Sequence, residues 1–220
     1  MIRLAVLDMA GTTVRDDGAV ERAFVEAVLP AFPEDDAGRA LEFVRATMGQ
    51  SKIVVFRALF DGDEDAAQAA NHRFEQAFDA AVARGEVGPI AGAETTLADL
   101  RAAGVRVCLT TGFSASTRDH IIDALGWRGA IDLALSPADA GRGRPYPDMI
   151  LSAVLRLGVD DVRDVAVAGD TTSDLVAGNR AGASVVAGVL TGAHTRAELE
   201  QAPHTHVIDS IADLSAILPT

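Results

Sequence analysis

Short apolar runs recur along this chain at Ile2–Leu7, Val105–Leu109, Ile131–Leu135, Val165–Ala168 and Val185–Val189. Strands buried on both faces read as near-continuous apolar runs, so each run predicts a strand of a parallel sheet. Helical patterns such as Thr95–Ala103 and Ser116–Leu125 separate them. Strands alternating with helices predict an α/β fold with a parallel, Rossmann-like sheet. The alternation stops between about Asp16 and Arg84. There the pattern is helical throughout, at Val20–Leu29, Gly38–Thr47, Lys52–Phe60 and Ala66–Ala83, punctuated by Pro30, Pro33, Gly49 and Gly62. Pro89 and Gly92 mark the return. The pattern therefore divides the chain into a core, residues 1–15 and 85–220, and an inserted helical unit, residues 16–84. The acidic cluster Asp61–Asp65 reads as a solvated helix start, where carboxylates suit the helix dipole.

Composition narrows the function. With 49% hydrophobic and 23% charged residues, the chain has the make-up of an ordinary globular protein. A net charge of −13 argues against a general nucleic-acid or anionic-membrane binder, because a phosphate backbone requires a basic face. No apolar run is long enough to span a bilayer, and Met1–Leu7 is too short for a signal peptide. The single cysteine, Cys108, excludes an intrachain disulfide and fits a reducing compartment, so a cytoplasmic location is expected. Of 19 basic residues only Lys52 is a lysine. A neutral amine can condense with a carbonyl to form a Schiff base; a guanidinium cannot. Chance survival in an arginine-rich composition explains the same fact equally well.

Ligands of open α/β sheets bind at the carboxyl ends of the strands. The first strand runs into Asp8-Met9-Ala10-Gly11-Thr12-Thr13. The second expected strand runs into Thr110-Thr111-Gly112, and Val165–Ala168 into Gly169-Asp170-Thr171-Thr172-Ser173-Asp174. A fourth segment, Gly143-Arg144-Pro145-Tyr146-Pro147, holds an arginine on a proline-stiffened loop. This set fits phosphoryl transfer through a carboxylate nucleophile, Asp8. Asp8 and Asp170 would lie close together, and a hard divalent ion, magnesium being the usual one with phosphate, would relieve their repulsion. Thr111 and the N–H groups after it would hold phosphate oxygens. Arg144 would offer a fixed positive charge to the phosphoryl group. Singly, an aspartate at a strand end is more often a turn or helix cap; the order and spacing of the whole set carry the reading.

These residues resemble the four motifs of the haloacid dehalogenase superfamily, and the helical insertion resembles its C1-type cap. Within that superfamily the sequence is most similar to phosphonatases. The resemblance rests on Ala10, where most relatives carry a second aspartate, on the Gly-Arg-Pro-Tyr-Pro segment, and on Met48-Gly49-Gln50-Ser51-Lys52. It implies a magnesium-dependent hydrolase that cleaves a carbon–phosphorus bond of a small phosphono-aldehyde. Lys52 would form a Schiff base and Asp8 an aspartyl phosphate, with Thr111 and Arg144 assisting. The metal set would be Asp8, Ala10, Asp170 and Asp174; the substrate-binding set would be Thr12, Met48, Gly49, Gly112 and Arg144. A homodimer through the cap is also implied. Three departures stand out: Val54-Val55 replaces the family Asp-His after the lysine, Met9 replaces a tryptophan, and Phe113 replaces an aromatic hydroxyl.

Two other functions compete. On the same scaffold, a phosphatase or phosphomutase for a small phosphate ester would use Lys52 only to bind an anion. A catalytically silent ligand-binding protein would account for Ala10. Met48 either touches substrate or packs the cap. His204 and His206 could pair on a metal but read better as a mobile C-terminal loop. His72 and His120 read as exposed helix residues, and Cys108 as a buried small hydrophobe.

Overall fold

The computed structural model describes residues 1–32 and 34–219; Pro33, expected above as a helix boundary, lies outside the described residues. In chain order the elements are β1 Leu4–Asp8, β2 Val14–Arg15, α1 Ala19–Val28, α2 Glu34–Ala46, α3 Lys52–Leu59, α4 Glu64–Ala83, β3 Gly88–Pro89 and α5 Ala93–Ala102. There follow β4 Arg106–Thr110, α6 Ala115–Ala124, β5 Leu133–Leu135, α7 Pro137–Ala140, α8 Asp148–Arg156, β6 Val165–Gly169, α9 Thr172–Ala181, β7 Val185–Val189, α10 Arg196–Leu199, β8 His206–Ile208 and α11 Leu214–Ile217.

Six strands form one sheet in the order β5-β4-β1-β6-β7-β8, every neighbouring pair parallel. All five residues of β1 are buried, as a two-sided apolar strand requires. Leu4 and Val6 face one side with Cys108, Val165 and Val167, under Met149, Ile150 and Val154 of α8. Ala5 and Leu7 face the other with Val107, Leu109 and Ala168, under Leu97 and Leu100 of α5. The chain leaves β1 toward β4 and β5, then returns on its far side with β6, β7 and β8, so the reversal of strand order lies at β1. Register aligns Asp8 with Thr110 and Leu7 with Ala168, which brings three strand ends to one edge.

Helices α1–α4 lie between β2 and β3 in the chain. These two short strands form a separate antiparallel ribbon, Val14 opposite Pro89 and Arg15 opposite Gly88. Entry to and exit from the helices thus pass through one ribbon. The helices share an aromatic centre: the Phe24 and Phe74 rings lie 4.6 Å apart, and Phe56 packs 5.3 Å from Phe24. Asp63 caps α4 by accepting from Ala66 N–H at 3.0 Å, and Asp61–Asp65 are exposed, so the acidic cluster is a helix start.

Several sequence expectations need correction. His206 is not in a loose loop: it opens β8, paired with Ala187 of β7. Three half-buried residues give no apolar run, so this edge strand leaves little trace in the sequence. The ribbon strands, two residues each, leave none. β5 begins at Leu133, because Asp132 is bound to Val107 through both its main-chain N–H (2.9 Å) and its side chain (2.8 Å). Helix α2 begins four residues before Gly38. Cys108 is fully buried and burial pushes its thiol up, while His72 and His120 are exposed on helices, as expected.

Candidate active site

Asp8 ends β1, Asp170 follows β6, and Asp174 lies in the first turn of α9. All three are buried, and each offers an oxygen within 4.8 Å of the others. Arg144 Nη1 donates to both Asp8 Oδ1 and Asp174 Oδ1. Asp174 also accepts from Thr171 Oγ1 at 2.5 Å and Thr171 N–H at 3.2 Å, closing a capping box at the start of α9. Asp170 accepts from Ala193 N–H at 2.7 Å and is walled by two glycines: a Cβ at Gly11 or Gly192 would collide with its carboxylate. Burial first, then Asp8 and Asp174, push the Asp170 carboxyl well up. Burial raises Asp8 to about 6 against the opposing pull of Arg144. Three buried carboxylates faced by one guanidinium form an oxygen-rich site suited to a hard divalent cation.

Lys52 comes to the same place from the helices. It is the first residue of α3, after the N-cap Ser51, and its N–H donates to Gly112 O at 3.1 Å. The loop before it fits closely on the sheet side. A Cβ at Gly112 would strike Gln50 O, and one at Gly49, where φ is +83°, would strike Thr171 Oγ1. The Lys52 side chain is buried, with Nζ 5.1 Å from the Phe113 ring centroid, 5.4 Å from Phe24 and 6.0 Å from Phe74. Burial, assisted by Arg144 and opposed by Asp8, Asp170 and Asp16, lowers the amine from 10.5 to about 8. Lys52, Asp8, Thr111 and Arg144 line one cavity of about 370 Å³. An amine with reduced basicity and a carboxylate therefore face a common space, with an arginine beside the carboxylate.

The model of the haloacid dehalogenase-like hydrolase family matches residues 2–182. The chain belongs to this family. It is 31% identical over 207 residues to the phosphonoacetaldehyde hydrolase of Bacillus cereus (strain AH820), covering 87% of this chain and 76% of that protein. Among solved structures, a hydrolase from Pseudomonas syringae superposes with a TM-score of 0.84 at 22% identity, covering 98% of this chain and 97% of that one. A phosphonoacetaldehyde hydrolase-like protein from Oleispira antarctica superposes with a TM-score of 0.82 at 23% identity, covering 98% and 91%. At these identities the structures speak for the fold.

In this haloacid dehalogenase-like hydrolase, the cavity also takes in Ala10, Met48, Gly49, Gly112 and Asp170 among the residues expected from the sequence. Met48 both lines the cavity and packs against the core. Thr12 does not line it: the residue is fully buried and its hydroxyl has no hydrogen-bond partner. The N–H groups after β4 are not all available to a phosphate. Thr111 N–H donates to Leu135 O at 3.1 Å and Phe113 N–H to Thr111 Oγ1 at 3.2 Å. Sequence reasoning missed Asp16 and Glu21, and it missed the Thr191–Ala193 turn after β7. The strand-end rule, applied to Val185–Val189, would have found that turn. No histidine lines the cavity among the described residues, and Val55 is buried in the helical core. No described helix is long and apolar enough to cross a membrane.

Proposed function

We propose that the protein hydrolyses the carbon–phosphorus bond of a small phosphono-aldehyde, with Lys52 as the amine and Asp8 as the phosphoryl acceptor. One observation carries the reading: the chain's single lysine is buried in the cavity that holds Asp8, while position 10 offers only alanine. The names of the curated relatives point the same way. In this reading residues 16–84 act as a cap over a core of residues 1–15 and 85–220.

The neutral Lys52 amine attacks the aldehyde carbon and, with one proton taken up from solvent, the carbonyl oxygen leaves as water, giving a protonated imine; the final hydrolysis to the neutral amine returns that proton. Asp8 Oδ attacks phosphorus. The electron pair of the broken carbon–phosphorus bond moves into a carbon–carbon double bond, and the imine π pair moves onto nitrogen as a neutral enamine. Water then releases phosphate from Asp8. The enamine takes a proton at carbon, and a second water frees the aldehyde and returns the amine; one water is consumed overall. Expulsion of a carbanion needs an electron sink on the substrate and gains nothing from an acid aimed at oxygen, so Ala10 and Lys52 fit together. Arg144, which donates to Asp8, would meet the phosphoryl oxygens. Asp8, Asp170, Asp174 and the main chain of Ala10 would hold magnesium, which when bound offsets the negative charge of the carboxylates and the phosphoryl group.

Incubation with phosphonoacetaldehyde and borohydride, followed by peptide mass spectrometry, tests this. Reduction is expected to attach the two-carbon unit to Lys52, and Lys52→Arg is expected to abolish both trapping and phosphate release. No phosphate release from phosphonoacetaldehyde, with release from a small phosphate ester that survives Lys52→Arg, would instead identify an ester phosphatase, since arginine keeps the charge and loses the amine.

A further inference from the structure

Resting on the Schiff-base reading, we propose that Phe24, Phe74 and Phe113 form a cation cage that holds the positively charged lysine–aldehyde adduct. The three rings come from three elements: Phe24 from α1, Phe74 from α4, and Phe113 from the loop after β4. All three centroids lie within 6.0 Å of Lys52 Nζ, the range in which a ring face attracts a cation. Phe113 also lines the cavity, where it would touch the adduct. Its ring stacks 4.7 Å from Phe78 and 6.1 Å from Phe74, so the sheet-side loop completes an aromatic cluster otherwise built by the helices.

Burial creates a conflict that the cage resolves. A dry site makes the amine nucleophilic by disfavouring its charged form, but it disfavours the protonated imine for the same reason. A neutral imine is a poor electron sink. The charged groups acting most strongly on Nζ are Arg144, which opposes a cation, and Asp8, Asp170 and Asp16, which favour one; Arg15, Asp17 and Glu21 line the same cavity. Among them Asp8 is given over to phosphorus in the proposed reaction. A carboxylate in contact with the imine would also accept its proton. A ring face attracts the cation and offers no such acceptor. Phe24 and Phe74 are positioning residues in this scheme; they act on the adduct through Lys52.

The test compares the wild type with Phe113→Leu and Phe113→Tyr. Leucine keeps the site apolar and removes one ring face, whereas tyrosine restores the face. Phosphonoacetaldehyde is the probe and cyanoborohydride the reductant, because it reduces protonated imines and spares neutral ones. Trapping on Lys52 is read by intact mass from pH 5.5 to 9. Loss of one face is expected to reduce trapping at pH 8 by about 2- to 10-fold and to move its alkaline limb to lower pH. Phosphate release should fall with it and recover partly at pH 6.5. Tyrosine should follow the wild type. If leucine does not fold, Phe113→Met, an adaptable apolar side chain, takes its place. A leucine or methionine profile that coincides with the wild type overturns the cage and leaves the Schiff base standing. A wild type that is never trapped overturns the Schiff base and the cage with it.

Discussion

At the scale of the residue, Lys52 is a source of instability as well as the proposed nucleophile. Its amine falls from 10.5 to about 8 chiefly because folding removes it from water. That difference corresponds to a penalty on the order of 3 kcal/mol while both folded and unfolded chains carry the proton. Below pH 8 the full penalty acts. Between about 8 and 10.5 the unfolded chain holds a proton that the folded chain has released, so stability rises with pH. Above this window no further change comes from the group. Lys52→Met, apolar and similar in length, is therefore expected to stabilise the protein by about 1–3 kcal/mol at pH 7 and to lose Schiff-base chemistry. Urea unfolding at pH 7 and pH 10 measures the gap between the two proteins. It should narrow at the higher pH, and a constant gap would show that the amine is not desolvated.

At the scale of the element, the seat of α3 on the sheet-side loop decides whether Lys52 reaches the site. The N-terminus of α3 is fixed by the bond from Lys52 N–H to Gly112 O. Gly112 lies so close to Gln50 O that a methyl group has no room, and because the obstacle is main chain no rotamer relieves it. Gly112→Ala is expected to lift the helical unit locally without disturbing the six-stranded sheet. The melting temperature should move by only a few degrees, while Lys52 reacts about 10-fold faster with an amine-acylating reagent. Unchanged labelling with unchanged turnover would mean that the seat is not needed. The Gly49 contact with Thr171 works in the same direction, since Thr171 also holds Asp174.

At the scale of the whole molecule, the two parts divide the proposed chemistry. The helices bring the amine and two of the rings around it; the sheet edge brings the carboxylates and Arg144. Imine formation needs only the amine and an aldehyde, whereas phosphoryl transfer needs the sheet edge. Chelation with EDTA is therefore expected to abolish phosphate release and leave borohydride trapping on Lys52 within about 3-fold, returning to full turnover on addition of magnesium. Loss of both would mean that the metal also organises the helical unit. Phosphate release unaffected by chelation would exclude a divalent ion from the site.

Much of this arrangement was legible in the chain. Continuous apolar runs predicted five of the six strands of the sheet, because strands covered on both faces leave a continuous signal in sequence. Asp8, Thr111 and Asp170 could be placed together because parallel strands align their carboxyl ends, whereas Arg144, on the loop after α7, was assigned from the motif set. Weak signals were lost where structure is short or indirect: the β2–β3 ribbon, the edge strand at His206–Ile208, and the turn at Thr191–Ala193. Thr12, four residues after Asp8, is buried outside the cavity lining, because position in the chain says nothing about the direction of a side chain.

The order of residues by itself determined which groups are present, the period of the longer elements, and the lone lysine set against Ala10. Only the tertiary structure decided that Lys52 is buried among phenylalanines from three separate elements, that Gly11 and Gly192 enclose Asp170, and that two of the N–H groups after β4 are already bonded. Such facts depend on contacts between segments far apart in the chain, and a local pattern of polar and apolar residues does not encode the distance between them.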